Sequence, residues 1–537
     1  MAILLSDIRI SMEQPPEQAL VKAQALLGGY RRQICESHLH KVSIDARRRG
    51  HIQLVCSVAI EMEDSHAEKA AVEELGRRGI SARLRQRQEL VFTPGSVPLS
   101  GRPVIIGFGP AGMFAGLILA QNGYRPLILE RGDQVKNRVK AVEGFWKTGE
   151  LDSATNVQFG EGGAGTFSDG KLTTRINDPR CEYVLRELVR FGAPKQILHR
   201  AKPHIGTDQL RGVVREIRRE IERLGGEIRF LTPMTQLLLR DGRVCAVKTP
   251  QGEVPAQAVI LAIGHSARDT FSMLIEKGLP LEPKPFSVGV RIEHLQSRVD
   301  ESLFGAYAGH PALGKGEYQL SQRRGEDAVY TFCMCPGGLV VPSSSEPGGT
   351  VTNGMSEFAR DGKNANAALV VSVSPKDFGT NPMDGFQFQR QLERRAFAMA
   401  GGDYRAPVQT AGLFLAGKPG AELGRVEPTY ARGCVPGDFS GLFPDKVTQM
   451  LKEGLRGFAL KMRCFGDKDA VLTGPETRTS SPVRLLRGED CQALGARGLY
   501  PAGEGAGYAG GIMSAAVDGI RVAQALIAQF APGAQDG

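Results

Sequence analysis

Three closely spaced glycines after a short apolar run constrain this chain more than any other feature. The run Val104–Ile106 is typical of a buried strand, and Gly107-Phe-Gly109-Pro-Ala-Gly112 follows it directly. We expect Gly107 to permit a sharp turn, Gly109 to leave the main chain open to a close approach, and Gly112 to let a helix pack against the strand. Strand, turn and helix in this order predict the first unit of a Rossmann-like fold.

The residues after this turn indicate what it binds. Residues 111–121 suit a helix whose N-terminal amides and dipole attract phosphate groups. A second apolar run, Leu127–Leu129, ends in Glu130, where an acid can accept hydrogen bonds from ribose hydroxyls. The segment therefore predicts a dinucleotide site with these contact residues: Gly107, Gly109, Pro110, Ala111, Gly112, Glu130 and Arg131. Glycines and a proline inside a βαβ unit argue against a membrane span at residues 104–120.

Length and composition fit a multidomain protein with ordinary cores. With 537 residues, 41% of them hydrophobic and 23% charged, the chain is long enough for about two to four domains. We expect no secretory signal and no membrane span. Nine scattered cysteines favour reduced thiols in a cytoplasmic protein. The net charge of +9 suits anionic ligands such as phosphorylated cofactors.

Residues 1–97 are predicted to form a separate module. Strand-like and helix-like stretches follow the order βαββαβ, which indicates a small ferredoxin-like α+β domain. Arg83, Arg85 and Arg87 share one face of a strand by the period-2 rule, and residues 47–49 are arginines beside a turn. A solvated face is the plainer interpretation. A surface for RNA, a phosphorylated ligand or a partner is the alternative, although the aromatic side chains that stack on single strands are missing there.

The rest of the chain predicts one nucleotide-binding fold with an insertion. A turn-rich linker at residues 93–98 precedes it. We assign residues 98–280 to the first part of this fold, 281–465 to an inserted α+β substrate or cap domain, and 466–537 to the return of the chain into the nucleotide fold. The predicted fold class is therefore α/β, with a Rossmann-like domain, an inserted domain and a small N-terminal domain.

Two later motifs accompany the glycine turn at Gly107. The first is Leu-Ala-Ile-Gly264 after a buried strand, and the second is Leu-Tyr-Pro-Ala-Gly503-Glu504 near the end of the chain. Together the three motifs resemble the FAD-dependent oxidoreductases of the glutathione-reductase-like structural class. In that class, the motif that corresponds to Leu-Ala-Ile-Gly264 reads Ala-Thr-Gly, and the motif that corresponds to Ala-Gly503-Glu504 contains Gly-Asp. The resemblance implies FAD as the cofactor, with Glu504 beside the ribityl chain in place of the aspartate.

A glycine-rich loop and the start of the last helix complete the predicted cofactor site. Residues 160–170 hold five glycines, which can bring the main chain close to a flat ring system and a pyrophosphate. In the class that the chain resembles, the last helix points its N-terminus at the flavin, where its dipole stabilises negative charge. The further predicted contacts are Gly162, Gly163, Gly165, Gly264, Gly503, Glu504, Gly511 and Ile512. His265 is either a donor to the cofactor or a satisfied buried histidine.

More narrowly, the chain resembles a family of uncharacterised bacterial FAD-dependent dehydrogenases, which pair a ferredoxin-like N-terminal module with this flavin fold. The resembling stretches span most of the chain, at residues 43–47, 159–172, 330–338, 476–484 and 502–516. The resemblance implies the fold and the cofactor and leaves the substrate open.

Five residues are candidate catalytic groups. Cys333-Met-Cys335 is either a redox-active dithiol or two small core residues, and alternation along a strand predicts that both thiols share a face. Arg478 and Arg484 suit a clamp on a substrate carboxylate or phosphate, with an interdomain ion-pair network as the alternative. Lys171 is expected near the flavin ring. No metal site is predicted, because no second cysteine pair or histidine run has ligand spacing.

These patterns predict an FAD-dependent oxidoreductase. It would take hydride from a reductant, NADPH or NADH, and pass hydride or electrons to an anionic small-molecule substrate under the inserted domain. Because there is one complete dinucleotide fingerprint, we expect the nicotinamide to bind transiently. Two alternatives stay open, an RNA-modifying or RNA-binding flavoprotein and a non-catalytic flavin-bound redox sensor; the small molecule is favoured over nucleic acid. The sequence yields no prediction of oligomeric state.

Overall fold

The computed structural model describes residues 1–48, 50–86 and 88–533. Its first elements are β1 (Ala2–Ser11), α1 (Gln18–Leu26), β2 (Ile34–Asp45), β3 (Gln53–Met62), α2 (Ser65–Arg77) and β4 (Ala82–Arg85). The strands form an antiparallel sheet in the order β2-β3-β1-β4, so the element order agrees with the predicted βαββαβ pattern. Apolar residues of β1 and β3 pack with both helices into one core because alternate side chains of a strand face the same side.

The glycine turn lies in the second group of elements. These are β5 (Val97–Pro98), β6 (Val104–Ile106), α3 (Pro110–Gln121), β7 (Leu127–Leu129), α4 (Val135–Thr148), α5 (Arg180–Arg190), α6 (Thr207–Arg223), β8 (Glu227–Arg229), β9 (Gln236–Arg240), β10 (Arg243–Thr249), β11 (Gly252–Pro255), β12 (Val259–Leu261) and α7 (Arg268–Glu276). Residues 104–120 thus divide between β6 and the buried helix α3. Among the described residues, every helix is too short or too polar to span a membrane.

A large mixed sheet dominates the third group. Its elements are β13 (Leu281–Pro283), β14 (Phe286–Leu295), α8 (Gln296–Phe304), β15 (Ser321–Arg324), β16 (Asp327–Cys335), β17 (Leu339–Pro342), β18 (Thr352–Met355), β19 (Asn364–Val373), α9 (Pro375–Phe378), α10 (Asp384–Met399), β20 (Ala406–Thr410), α11 (Ala411–Ala416), β21 (Cys434–Pro436), α12 (Asp445–Lys461) and β22 (Val471–Glu476). We call the seven-stranded sheet β15-β16-β19-β14-β22-β20-β21 the cap sheet. It includes β22, beyond the predicted boundary at residue 465, because β22 pairs antiparallel with β14.

The central strand of the cap sheet has two different faces. Val288, Val290 and Ile292 of β14 point into an apolar core shared with α12. Arg291 and Glu293 alternate with them and are also fully buried, at 0% exposure. Because successive side chains of a strand point to opposite faces, the cap sheet presents a buried polar face on its other side.

The chain ends with β23 (Val483–Leu485), β24 (Leu499–Pro501), α13 (Ile512–Gln529) and β25 (Phe530–Ala531). β24 completes a five-stranded sheet in the order β24-β12-β6-β7-β8, in which every neighbouring pair is parallel. A parallel sheet with helices between its strands is the α/β arrangement that the glycine turn predicts. The carboxyl ends of its strands define the edge where a ligand site is expected.

Candidate functional site

Three glycine-containing turns meet at the carboxyl edge of the parallel sheet. Leu261 is paired with Ile106 on one side and with Pro501 on the other. The segments after these strands therefore leave the sheet side by side and lead to Gly107, Ala-Ile-Gly264 and Gly503. The sequence motifs, which are widely separated along the chain, form one site in the fold.

The first turn depends on two positions that only glycine fits. Gly107 has φ +96°, and a Cβ there would lie 2.6 Å from the carbonyl oxygen of Ala262. A Cβ on Gly112 would lie 2.0 Å from the carbonyl oxygen of Gly107. The tight turn and the close packing of α3 against it agree with the tasks predicted for these glycines.

The glycine-rich loop lies directly against this turn. Gly162 donates its backbone N–H to the carbonyl of Phe108 over 2.8 Å, and a Cβ on Gly163 would lie 2.9 Å from Gly109 Cα. A Cβ on Gly165 would contact the side chain of Ile512 at 3.1 Å. The loop therefore bridges the start of α3, where Pro110 and Ala111 lie, and the start of α13.

Glu130 organises backbone amides at the end of β7. Its carboxylate accepts hydrogen bonds from the N–H groups of Phe108, Gly132 and Gly160 at 2.7, 2.9 and 3.0 Å. Because a carboxylate has about four acceptor positions, a ribose hydroxyl would find one left. Its contacts here are thus structural, and the predicted ribose contact stays a prediction. Arg131 forms an ion pair with Asp269 at 2.7 Å.

His265 and Glu504 join the central turn to the C-terminal turn. Nδ1 of His265 lies 2.7 Å from Oε1 of Glu504, and the backbone N–H of His265 donates to Oε2. Burial opposes ionisation of Glu504, but the charge and hydrogen bonds of His265, with the charge of Lys284, outweigh it and lower its pKa. Nε2 of His265 is buried and has no hydrogen-bond partner among the described residues. The contact satisfies one ring nitrogen and leaves the other for a ligand.

The starts of α3 and α13 lie beside these turns. Neither helix has a side chain capping its N-terminus. A Cβ on Gly519 of α13 would lie 2.1 Å from the carbonyl oxygen of Ala111, so the two helices are in very close contact. In the part of the chain that the structure describes, a Cβ on Gly264 or Gly511 would have no neighbour within 4 Å apart from the adjacent residues. Uncapped helix starts, open glycine faces and the unpartnered nitrogen of His265 fit a ligand with phosphates and a flat ring.

Arg138 of α4 was not recognised from the sequence. Its side chain is completely buried and donates to the carbonyl oxygens of Asn156, Val157, Gly160 and Glu161. Burial lowers the pKa of its guanidinium to about 9 despite nearby glutamates. One side chain therefore holds two carbonyls at the start of the glycine-rich loop and two in the segment just before it. An arginine on an amphipathic helix is usually exposed, so the sequence carries no signal for this role.

Lys171 belongs to an ion-pair group just after the glycine-rich loop. Its Nζ lies 3.0 Å from Asp169 and 3.3 Å from Glu317. Arg360 forms ion pairs with the same two carboxylates. Burial lowers the pKa of Lys171, but these carboxylates outweigh it and raise the pKa overall. Lys171 is therefore charged and held by protein partners; its predicted position beside the flavin ring stays a prediction.

Arg291, Cys333 and Cys335 meet on the polar face of the cap sheet. The Arg291 guanidinium binds Glu476 at 2.8 Å and donates to the carbonyl oxygen of Cys333 at 2.8 Å. A β-bulge interrupts β16 between Phe332 and Cys335, so the alternation expected to put both thiols on one face does not hold there. Sγ of Cys335 nevertheless lies 3.4 Å from the carbonyl oxygen of Cys333.

The two candidate arginines near the end of the cap have different surroundings. Arg478 is buried and binds Glu393 at 3.1 Å, as the ion-pair alternative describes. Arg268 of α7 binds the same glutamate, so the network links the nucleotide fold to the cap. Arg484 is exposed and lies over the ring of Tyr508 at 5.4 Å. The structure therefore does not bring Arg478 and Arg484 together as a single clamp.

The arginines of the N-terminal module are partly used by the protein itself. Arg85 forms an ion pair with Glu182 of α5, and Arg47 binds Asp45 at 2.6 Å. Arg83 is exposed. Arg49 and Arg87 lie outside the described residues. In residues 1–48, 50–86 and 88–533, no three or more histidine, cysteine, aspartate or glutamate side chains are grouped to hold a metal ion.

Comparison with known proteins identifies relatives of this chain. Residues 285–479 match the family model described as "FAD-dependent protein, C-terminal domain-like". An uncharacterised protein of Clostridium beijerinckii is 44% identical over 533 residues, which cover 99% of each chain.

Solved structures give more distant likenesses. Glycine oxidase from Bacillus cereus is 11% identical, with a TM-score of 0.31 over 80% of this chain and 95% of that one. L-proline dehydrogenase from P. horikoshii is 12% identical, with a TM-score of 0.33 over 80% of this chain and 94% of that one. At these scores, nothing about the substrate of this chain follows from them.

Proposed function

Because this chain belongs to one family with the Clostridium beijerinckii protein, and its residues 285–479 match a model of FAD-dependent proteins, we propose that it transfers hydride or electrons between a nicotinamide nucleotide and an anionic small molecule. The match to that model supports the predicted cofactor, FAD, and the predicted class, an FAD-dependent oxidoreductase. The observation that carries the rest is the meeting of two uncapped helix N-termini and the His265–Glu504 pair at one edge of the parallel sheet.

Most of the contacts that hold FAD would come from the main chain. The first amides of α3 and the loop at Gly162 and Gly163 would bind the pyrophosphate, since N–H groups and the helix dipole favour phosphate there. Gly109 would leave the necessary space, because its Cα faces the loop without a side chain. Glu130 would accept from the ribose with its remaining acceptor position.

The groups at the other end of the site would orient and tune the ring system. FAD, when bound, supplies the two-electron chemistry by accepting and donating hydride. The N-terminus of α13, at Gly511 and Ile512, would stabilise negative charge next to it. Glu504 fixes the imidazole of His265 through Nδ1, which leaves Nε2 to accept a hydrogen bond when the ring is neutral or to donate when it is charged.

An excess of positive charge supports an anionic substrate. Burial and Arg360 lower the pKa of Arg200, and Lys171, Arg360 and Lys202 together lower that of Glu317 against its burial. These groups are therefore close enough to act on one another. The set contains four cations and two carboxylates: Lys171, Arg200, Lys202 and Arg360 against Asp169 and Glu317. Two of the positive charges therefore have no carboxylate partner within the set. This excess of positive charge attracts a carboxylate or phosphate group.

The finer fold assignments belong to the same proposal. We infer a glutathione-reductase-like arrangement for the nucleotide fold, supported by its five parallel strands and the return of the chain in β24. We infer a ferredoxin-like fold for the N-terminal module, supported by the antiparallel order β2-β3-β1-β4. Since there is a single glycine fingerprint, the nicotinamide would bind transiently and leave after the first half-reaction.

The test is anaerobic reduction of the purified, FAD-loaded protein followed by reoxidation. We expect NADPH or NADH to bleach the flavin absorbance, and ferricyanide, an anion, to restore it faster than a neutral quinone of similar potential. Lys171→Met should reduce the advantage of ferricyanide, whereas the exposed Lys195→Met should not. Bleaching by light but by neither nucleotide, without acceptor-dependent recovery, would favour the non-catalytic sensor instead.

A further inference from the structure

We propose that Cys333 and Cys335 form a dithiol–disulfide pair that exchanges two electrons with a disulfide substrate. This activity goes beyond the proposed flavin reaction, because thiol–disulfide exchange needs the two sulfurs and no flavin. The proposal rests on the local backbone, on the closeness of Cys335 Sγ to Cys333 and on the charges around the pair.

The backbone at Cys333 is irregular in a way that favours the pair. Phe332 pairs with Ala368 of β19, and Cys335 pairs with Asn366. The two residues between them on β16, Cys333 and Met334, therefore lie opposite the single residue Ala367. Cys333 itself has φ +41°, a left-handed value that costs a non-glycine residue energy. Bulges of this kind redirect side chains and are frequent next to active sites.

The bulge keeps Cys335 close to Cys333. Cys335 Sγ lies 3.4 Å from the carbonyl oxygen of Cys333. Cys333 is half-buried and Cys335 is buried. This asymmetry suits an attacking sulfur that a substrate can reach and a resolving sulfur behind it.

The charges around the pair favour a thiolate at Cys333. The hydrogen bond from Cys335 lowers its pKa to about 6 against burial, with Arg291 and Lys171 acting in the same direction and Glu476 opposing them. Cys335 behaves oppositely: the Cys333 hydrogen bond, burial, the charge on Cys333 and Asp169 raise its pKa, and Arg291 opposes them. Burial raises the pKa of five other cysteines: Cys56, Cys181, Cys434, Cys464 and Cys491. Cys333 therefore differs from them in being primed for nucleophilic attack.

The exchange balances in two steps. The Cys333 thiolate attacks one sulfur of a disulfide R–S–S–R′, forms a mixed disulfide with the R–S group and expels R′–S⁻. Cys335 then loses its proton to solvent and attacks Sγ of Cys333, which expels R–S⁻. The two cysteines are oxidised to one disulfide, and the substrate is reduced by two electrons to two thiols. An external dithiol reverses both steps.

The test uses the full-length, FAD-loaded protein with glutathione disulfide as the oxidant. We expect mass spectrometry to find the peptide containing Cys333 and Cys335 two hydrogen atoms lighter and without bound glutathione. Cys335→Ala should instead retain glutathione on Cys333, because no resolving thiol is left. The control Cys181→Ser, which changes another half-buried cysteine, should behave like the unchanged protein.

A second measurement needs no oxidant. The alkylation rate of Cys333 by iodoacetamide should rise with pH around a midpoint of about 6, and this midpoint should move up in Cys335→Ala, which lacks the hydrogen bond. Failure of the unchanged protein to form the intramolecular disulfide, or persistent glutathione on Cys333 in it, would overturn the proposal. The flavin absorbance of the same samples reports separately on the proposed oxidoreductase function.

Discussion

Nδ1 of His265 lies 2.7 Å from Oε1 of Glu504, and this contact joins two strand ends that are far apart in the sequence. We expect Glu504→Gln to weaken FAD binding about tenfold, or about 1.4 kcal/mol, because the amide cannot carry the charge that orients His265. Titration of FAD into the flavin-free protein measures the change. The exposed Glu489→Gln is the control, and equal affinities for both variants would argue against a role of the pair in cofactor binding.

Arg138 should matter for the stability of the nucleotide fold. Arg138→Ala removes a donor from four buried carbonyls, and those of Asn156 and Val157 depend on it most, because Gly160 and Glu161 also accept from Gly163 and Thr166. The free energy of unfolding should therefore fall by about 3 to 5 kcal/mol. Lys136→Ala, an exposed change in the same helix, should cost less than about 0.5 kcal/mol. Urea denaturation of the two variants measures these changes. A small loss of stability in Arg138→Ala would mean that water or other donors replace the guanidinium.

Substitution of the two candidate arginines should have different effects on the stability of the protein. Arg478→Met removes one of the two arginines that neutralise buried Glu393, and we expect a loss of about 2 kcal/mol. Arg484→Met should change stability by less than about 0.5 kcal/mol, since the side chain is exposed. Denaturation midpoints measured side by side decide the matter. If Arg478→Met is as stable as Arg484→Met, the ion-pair interpretation of Arg478 is wrong.

Acid should weaken the link between the nucleotide fold and the cap. Burial opposes ionisation of Glu346, but hydrogen bonds from Arg390 and the charges of Arg268 and Arg390 lower its pKa to about 2. A carboxyl with a lowered folded-state pKa stabilises the fold above its ordinary value near 4.5 and loses that contribution as pH falls toward 2. Since the carboxylate is partly exposed, we expect its contribution to the free energy of unfolding at pH 7 to be about 2 kcal/mol.

Glu346→Gln isolates this contribution. It should be less stable than the unchanged protein at pH 7, and the difference should shrink as pH falls from 4.5 toward 2. Glu422→Gln, an exposed substitution, serves as the control. Urea denaturation at several pH values gives the comparison, and a difference that is constant with pH would contradict the assignment.

Backbone requirements were predictable from the sequence, whereas the partners of charged side chains were not. The turn at Gly107 and the close helix packing at Gly112 were predictable because each demands a missing Cβ, which a local pattern reveals. Glu130 directly follows β7, as the apolar run predicts, but its three amide partners come from separate segments. Arg138 carried no signal, since burial of a charge depends on carbonyls supplied by a distant loop.

The cysteine pair and the extent of the cap show the same limit. A regular strand would have made Cys333 and Cys335 neighbours by alternation, and the extra residue opposite Ala367 is set by pairing with β19. The cap continues to Glu476 because β22 finds its partner in β14, about 180 residues earlier. Such long-range pairings leave no periodic pattern that marks where a domain ends.

The central claim is that the turn at Gly109 and the loop at Gly163 hold FAD, and the FAD content of two purified variants tests it most directly. A Cβ at position 109 would lie 3.7 Å from Gly163 Cα, and Gly109 has an extended backbone conformation that valine also adopts, so Gly109→Val places a side chain between the turn and the loop. Gly101→Val makes the same change at a position where no described atom lies within 4 Å of the added Cβ. We predict about one FAD per chain in the unchanged protein and in Gly101→Val, and little or none in folded Gly109→Val. A colourless unchanged protein that stays colourless with added FAD, or a fully loaded Gly109→Val, would contradict the claim.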